Sequence, residues 1–235
     1  MRGWILLLVG SWLATGAARP AAAAPPARKS LPSKEGVRAA GGGVTVRPGE
    51  VSFYARVDRA GFERELLGQP GYHLIVWEDG KAARVALFRA EVSDTRVLDA
   101  LEAMGERPGN GLGMGSWEER KNADSREPDR RIVGPPIEIL VQVPGRKELL
   151  PLDQVLEDPG GKGFEMRFGG HRANIPVWKS GCVVCLYSCP GSKIGNARYT
   201  VRDYVQGTTR FRVRPGVLPA DGTRVRLVLR ALSAG

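Results

Sequence analysis

The side chains of this 235-residue chain that are best suited to chemistry lie together in residues 169–196. This stretch holds all three cysteines of the chain, Cys182, Cys185 and Cys189, and one of its two histidines, His171. Thiolates and imidazole are the ligands that zinc prefers, and thiolates also suit copper(I). The clustering therefore predicts a soft-metal site with these four residues as ligands and zinc or copper as the cofactor.

The same cysteines permit a second interpretation, in which they cycle between thiol and disulfide. In an oxidising compartment two of three cysteines tend to pair and leave a reactive third. Cys182 and Cys185 form a C-x-x-C pair, and Cys189 is placed to resolve their disulfide. Lys179 and Lys193 lie close in sequence and favour thiolates. A plain structural disulfide with one buried thiol explains the spacing equally well, and would suit a structural or interaction module of the cell envelope.

A third interpretation is an iron–sulfur electron carrier. The spacing Cys182-x2-Cys185-x3-Cys189, followed by Pro190, matches the last three cysteines and the proline of the bacterial motif C-x2-C-x2-C-x3-C-P. Lys179 stands where the first cysteine of that motif belongs. Three thiolates are too few for either cluster of that motif, so an iron–sulfur cluster is less favoured than zinc or copper.

The remaining residues indicate no catalytic set, so a non-enzymatic protein is favoured. His73 has no serine or carboxylate at the spacing of a known motif. The glycine-rich run at 109–115 matches neither the dinucleotide-binding nor the phosphate-binding pattern.

The elements expected to position the cysteines are mostly strands. Alternating residues predict a first strand at 51–58, and Asp79-Gly80 predicts a hairpin spanning 72–88. Helical spacing after Ser93 predicts one main helix at about 94–104, followed by a charged loop insertion at 106–131. Further strands are predicted at 137–143, 164–168, 199–205, 208–214 and 224–232. The expected fold is α+β, with mostly antiparallel strands, one main helix and a cysteine-bearing glycine-rich loop.

The first part of the chain has the composition of a targeting segment. Residues 1–24 have a charged start, an apolar run and small residues at possible cleavage points, which predicts a signal peptide. Residues 25–48 are rich in Pro, Ala and Gly and predict a flexible linker. A single domain is expected over 49–235. The protein is therefore expected to be exported, periplasmic or extracellular, with membrane attachment only through an uncleaved signal segment.

The charge of the chain favours an anionic partner. The formal net charge is +10, and the strand pattern places arginines on common faces. In an exported protein this pattern favours an envelope protein or a redox partner over nucleic acid, although a plain solvent-exposed face explains it as well. The arginines concerned are Arg210, Arg212, Arg214, Arg224 and Arg226.

Two segments resemble a known family, the YdjY-domain proteins. The first runs from residue 71 to 110 and includes V-L-D-A-L-E-A-M-G-E-R-P-G. The second is S-G-C-V-V-C-L-Y-S-C-P-G-S-K-I-G-N, from residue 180 to 196. The resemblance covers about residues 50–235 and implies an exported bacterial α+β domain. It implies no particular reaction.

Overall fold

The structure is a computed structural model that describes residues 43–64, 71–109, 111–122, 124–170, 172–207 and 210–232, and the backbone of 38–40. The described residues fall within one compact unit, residues 36–235. The predicted signal peptide and His171 lie outside the described residues. Two short strands fall inside the segment predicted as a linker, at residues 38–40 and 44–47.

Strands dominate the described part of the chain. In chain order they are β1 (Arg38–Ala40), β2 (Val44–Arg47), β3 (Glu50–Val57), β4 (His73–Trp77), β5 (Ala86–Ala90), β6 (Ile137–Gln142), β7 (Leu150–Pro151), β8 (Leu156–Glu157), β9 (Met166–Phe168), β10 (Cys182–Cys185), β11 (Ile194–Asn196), β12 (Arg212–Val213) and β13 (Arg224–Ala231). The helices are α1 (Arg59–Phe62), α2 (Asp94–Ala103), α3 (Met114–Trp117), α4 (Leu152–Val155), α5 (Ile175–Trp178) and α6 (Val201–Gln206).

Nine strands form the main path of one sheet, in the order β7-β6-β13-β3-β5-β4-β10-β11-β9. The sheet curls until an isolated antiparallel bridge between Pro136 and Arg167 links the region before β6 to β9. Several short helices accompany α2. The predicted α+β class with a single main helix is therefore wrong, and the protein is mostly β. The helices that were missed are mainly four residues long, too short to show a hydrophobic period.

The long elements agree with their sequence patterns. Helix α2 begins after Ser93, whose side chain accepts a hydrogen bond from the backbone N–H of Arg96 at 3.3 Å. Strand β13 pairs antiparallel with both β3 and β6, so the three longest strands are adjacent. Their alternating buried residues provide the centre of the core, as the predicted strands at 51–58, 137–143 and 224–232 require. In the described part of the chain, no helix has the length and apolarity needed to cross a membrane.

The predicted hairpin at 72–88 is wrong, because β4 and β5 pair in parallel. A short 3-10 helix at 83–85 lies in the connection and turns the chain back to the start of β4. Gly80 does not supply the positive φ of a two-residue turn. It is required because a Cβ there would lie 2.4 Å from the carbonyl oxygen of Ser180. The turn that suggested a hairpin instead packs against the backbone that leads into β10.

The predicted strand at 199–205 is also wrong, because this segment forms helix α6. Thr200 and Asp203 form a reciprocal capping box, and Gly207 closes the helix in a left-handed conformation. The β-branched and aromatic residues of the segment favoured a strand, but the capping pair determines its start.

Candidate thiol site

The cysteines lie on a central buried strand and in the turn that follows it. Cys182 and Cys185 are the first and last residues of β10, which lies between β4 and β11. Both are fully buried, and Cys189 is 6% exposed. The expectation of a glycine-rich loop carrying all three is therefore wrong for Cys182 and Cys185. A run such as C-V-V-C is apolar enough to form a buried strand.

Irregular pairing brings the first two sulfurs together. Residues three apart on a regular strand point to opposite faces. Here the pairing of β10 with β4 shifts register on both sides of Val184, so that Val183 is an extra residue on β10 and Leu74 an extra residue on β4. Such bulges re-aim side chains. As a result, the sulfurs of Cys182 and Cys185 face one site.

The imidazole at this site comes from His73. In the register of β4 and β10, His73 lies opposite Cys185. Its Nδ1 atom is 3.6 Å from the Sγ atom of Cys182, and its ring is 6% exposed. One ligand atom each of His73, Cys182 and Cys185 lie within 4.8 Å of one another. Sequence reasoning missed His73, because it lies 109 residues before Cys182 and its strand carries no motif.

Cys189 lies next to Cys185 and adds a third thiol to His73, Cys182 and Cys185. Its Sγ atom accepts a hydrogen bond from the backbone N–H of Gly191 at 3.4 Å. Cys185 lies within hydrogen-bonding reach of both other thiols, and its S–H group donates to the carbonyl oxygen of Tyr72 at 3.6 Å. All three cysteines are free. The structure thus brings together the three predicted thiols, with Cys185 at their centre.

The thiols differ in acidity because their surroundings differ. The hydrogen bond from Cys185 lowers the pKa of Cys182 to about 5, with further help from His73 and the charge of Lys193. The hydrogen bond from Cys185 also lowers the pKa of Cys189. Burial raises the pKa of Cys185 well above its usual range. Cys185 therefore favours the protonated form, and its single S–H proton can be donated to one neighbour at a time, whereas Cys182 favours the thiolate.

A buried ion pair lies beside the thiols. Lys193 is 2% exposed, and its ammonium is 2.5 Å from the carboxylate of Asp94 at the start of α2. Its backbone N–H donates to the carbonyl of Val183, the extra residue of β10. Lysine is almost never fully buried without a partner. The pair therefore places a cation near Cys182 inside the core.

An aromatic cluster covers the other side of the site. The ring of Tyr72 lies 4.2 Å from that of His73, and the rings of Tyr187 and Tyr204 are stacked at 5.1 Å. Burial raises the pKa of Tyr204 to about 12 and that of Tyr187 well above its usual range. Trp178 packs edge-on against Trp117 at 5.5 Å. The rings separate the thiols from solvent.

Of the arginines predicted to face an anionic partner, Arg212 lies on β12 and Arg224 and Arg226 lie on β13, whereas Arg210 and Arg214 lie outside the strands. Arg224 is paired with Glu91 at 2.8 Å, and Arg226 with Glu50 at 2.8 Å. The side chain of Arg214 donates to a backbone carbonyl at 2.8 Å. The other two, Arg210 and Arg212, are exposed.

Comparison with known proteins places the chain in a family. Residues 44–230 match the model of the YdjY domain. The chain is 33% identical over 152 residues to the "Uncharacterized protein YdjY" of Escherichia coli (strain K12), over 64% of this chain and 63% of that protein. The match thus spans less than two thirds of the curated relative. No solved structure matches the chain. The family match covers the nine-strand path of the sheet up to residue 230 and all three cysteines, and the chain belongs to the YdjY domain family.

Proposed function

We propose that this protein binds one thiophilic metal ion, zinc or copper(I), with Cys182, Cys185 and His73 as ligands and Cys189 as the fourth donor. The observation that carries the proposal is the convergence of three buried ligand atoms within 4.8 Å. Two ligands of a tetrahedral zinc ion, one sulfur and one nitrogen, are about 3.6 Å apart for ordinary bond lengths. The distance from the Sγ atom of Cys182 to the Nδ1 atom of His73 is 3.6 Å.

The burial of the thiols also supports a metal ion. Buried charges are stable only when they are paired or bound to a metal. Hydrogen bonding with Cys185 lowers the pKa of Cys182 to about 5, so this thiol favours the thiolate in a site that the aromatic cluster shields. The ammonium of Lys193 offsets part of this charge but is already paired with Asp94. A bound cation would offset the rest.

Thiol–disulfide cycling is the second candidate function. The sulfurs of Cys182 and Cys185 lie within 4.8 Å, and Cys185 contacts both other thiols. A disulfide between Cys182 and Cys185 would remove two of the metal ligands, so the two functions exclude each other in one molecule. The redox state of the purified protein therefore distinguishes them.

The test is elemental analysis with thiol counting on protein purified without chelators. We expect about one zinc or copper per chain, and thiols that react only after the metal is removed. Competition with a zinc chelator and a copper(I) chelator then identifies the metal. A metal-free protein with one reactive thiol and a reducible disulfide would favour the second candidate. Iron with sulfide would favour an electron carrier.

A pair of histidine variants gives the matched control. His73→Gln removes the proposed ligand, and His171→Gln removes the ligand that sequence spacing predicts. We expect metal affinity to fall at least tenfold in His73→Gln and to stay unchanged in His171→Gln. Metal retained at full affinity in the Cys182→Ser/Cys185→Ser variant would refute the proposal.

We also propose that the protein acts outside the cytoplasm. The support is the sequence of residues 1–24 alone. Cell fractionation of the full chain, with mass spectrometry of its N-terminus, tests this proposal. Full-length protein found only in the cytoplasm would refute it.

A further inference from the structure

A second concave site lies on another part of the sheet. It is an open pocket of about 730 Å³ between residues 131–134, the segment leading into β9, and residues 197–198. Its lining holds four cations and one carboxylate, and includes no residue of the thiol site. The charged residues are Arg131, Lys162, Arg167, Arg198 and Glu165.

The carboxylate of Glu165 is shared by two guanidinium groups. Its Oε1 atom is 2.6 Å from Arg167, and its Oε2 atom is 2.8 Å from Arg198. One negative charge thus faces two positive charges. The hydrogen bond from Arg167 is the main cause that lowers the pKa of Glu165, and the charges of Arg198 and Arg131 act in the same direction. Three guanidinium groups therefore act on one carboxylate.

Arg131 is held in place by neutral groups. Its Nη1 atom donates to the carbonyl oxygens of Ala197 at 2.7 Å and Arg198 at 3.0 Å. Its nearest carboxylate, Asp129, is 3.8 Å away and is already bound by Arg202 at 2.9 Å. The carbonyl contacts fix the guanidinium without cancelling its charge.

Lys162 adds little to the excess charge, because it is paired with Asp203 at 2.5 Å. The excess therefore comes from Arg131 and from the pair of guanidiniums that share Glu165. It amounts to about two positive charges in a concave site, where the field of the surrounding groups is focused.

We propose that this pocket binds a small dianionic oxyanion, such as a phosphate monoester or a dicarboxylate. The excess charge matches a dianion. The planar guanidinium group presents parallel N–H donors that suit carboxylate and phosphate oxygens. Arg131 and Arg167 are held by backbone carbonyls, Arg167 through Gly134 at 3.3 Å, so little side-chain freedom is lost on binding. This function does not depend on the metal site.

The test is titration of the full chain with inorganic phosphate and, separately, with succinate. The heat of binding is measured by calorimetry at constant ionic strength. We expect saturable binding of at least one of them. The tighter ligand identifies the source of the oxyanion as a phosphate or a carboxylate. Two results would refute the proposal. One is binding that does not saturate, and the other is binding that is lost when sodium chloride is present at the same total ionic strength.

Variants that remove a positive charge or a negative charge from the pocket make the test more specific. Arg198→Gln removes a side chain whose ion pair, among the described residues, is with Glu165. It is 58% exposed, so the fold should be retained, and we expect affinity to fall at least tenfold. Arg172→Gln is the control, because it removes the same charge from a different surface cluster, where Arg172 pairs with Asp99 and Glu102. Glu165→Gln removes the competing carboxylate, and we expect it to strengthen binding. An equal loss in Arg198→Gln and Arg172→Gln would contradict a specific site.

Discussion

The buried pair of Lys193 and Asp94 is the costliest arrangement of charge near the thiols. Both side chains are almost inaccessible, at 2% and 6%. Removing two charges from water costs several kcal/mol for each ion, and their attraction repays this only in good geometry. Well-packed apolar residues would often be equally stable, so the pair is weak evidence for stability. The charge of Lys193 helps to lower the pKa of Cys182, an effect that apolar residues would not provide.

Asp94→Asn should therefore be strongly destabilising, because it leaves the ammonium of Lys193 buried without its carboxylate. We expect a loss of about 3–5 kcal/mol in the free energy of unfolding. The measurement is denaturant unfolding. Asp94→Leu with Lys193→Met should recover more than half of this loss.

The exposed pair of Arg172 and Asp99, in which Arg172 also pairs with Glu102, is the control for this prediction. Both side chains are about half exposed, at 46% and 54%. Replacing Asp99 by Asn should change the free energy of unfolding by less than about 1 kcal/mol. Equal losses in Asp94→Asn and Asp99→Asn would show that burial of the first pair does not decide its contribution.

Residue types alone located the thiols but not their imidazole. Three cysteines within eight residues are visible in any sequence, whereas His73 reaches Cys182 only because β4 and β10 are neighbours in the sheet. That pairing is non-local and depends on the whole topology. His171, the nearer histidine in sequence, was preferred for its proximity. A histidine at the start of an apolar strand, as in H-L-I-V-W, was the available signal.

At the scale of elements, two glycines hold β10 in place. A Cβ on Gly181 would lie 2.6 Å from the Cα of Gly80, and Gly181 has a positive φ of 70°. The turn after β4 thus touches the backbone directly before Cys182. The sulfurs are positioned by this contact as well as by the bulges.

Gly181→Ala should destabilise the protein and weaken the thiol site. The left-handed conformation costs about 1–2 kcal/mol for a residue with a side chain. The collision with Gly80 should add about 1–3 kcal/mol. Gly216→Ala is the matched control, since Gly216 has a φ of 72° and nothing within 4 Å of a Cβ.

The difference between these two variants measures the close approach of the two backbones. Denaturant unfolding gives the stability, and chelator competition gives the metal affinity. If Gly181→Ala lost no more stability than Gly216→Ala and kept full metal affinity, the contact would not position β10.

Long elements could be predicted from the sequence, whereas short ones and their partners could not. Helix α2 and strands β3, β6 and β13 have enough residues to show a period. The turn at Asp79-Gly80 was misassigned because Asp-Gly suits a tight hairpin. The glycine is in fact required by the close approach of the Ser180 backbone, which lies far away in the sequence. In α6 the capping box at Thr200 was visible, but strand-favouring residues outweighed it.

At the scale of the whole molecule, metal binding should stabilise the fold as a unit. The proposed ligands come from β4 and β10, which are adjacent only in the native sheet. A metal that binds this site should therefore stabilise the native state, by about 2.7 kcal/mol at a free concentration 100 times the Kd. Binding to thiols of the unfolded chain would reduce this value.

Unfolding curves with and without the identified metal test this prediction. The midpoint should rise with metal for the native chain and stay constant for Cys182→Ser/Cys185→Ser. The oxyanion pocket provides an internal comparison, because Arg198→Gln should leave the metal-dependent shift unchanged. A shift of equal size in the cysteine variant would assign it to metal bound elsewhere.

The distance along the chain between His73 and Cys182 also sets when the site can form. A growing chain carries the histidine for 109 residues of synthesis before the first thiol appears, and β11 and β13 must still follow. No nascent fragment that ends before residue 182 has a thiol to offer. On the proposed function, the complete metal site therefore forms only after the chain has passed Cys189 and the sheet has folded, and it takes up metal in the compartment where folding finishes.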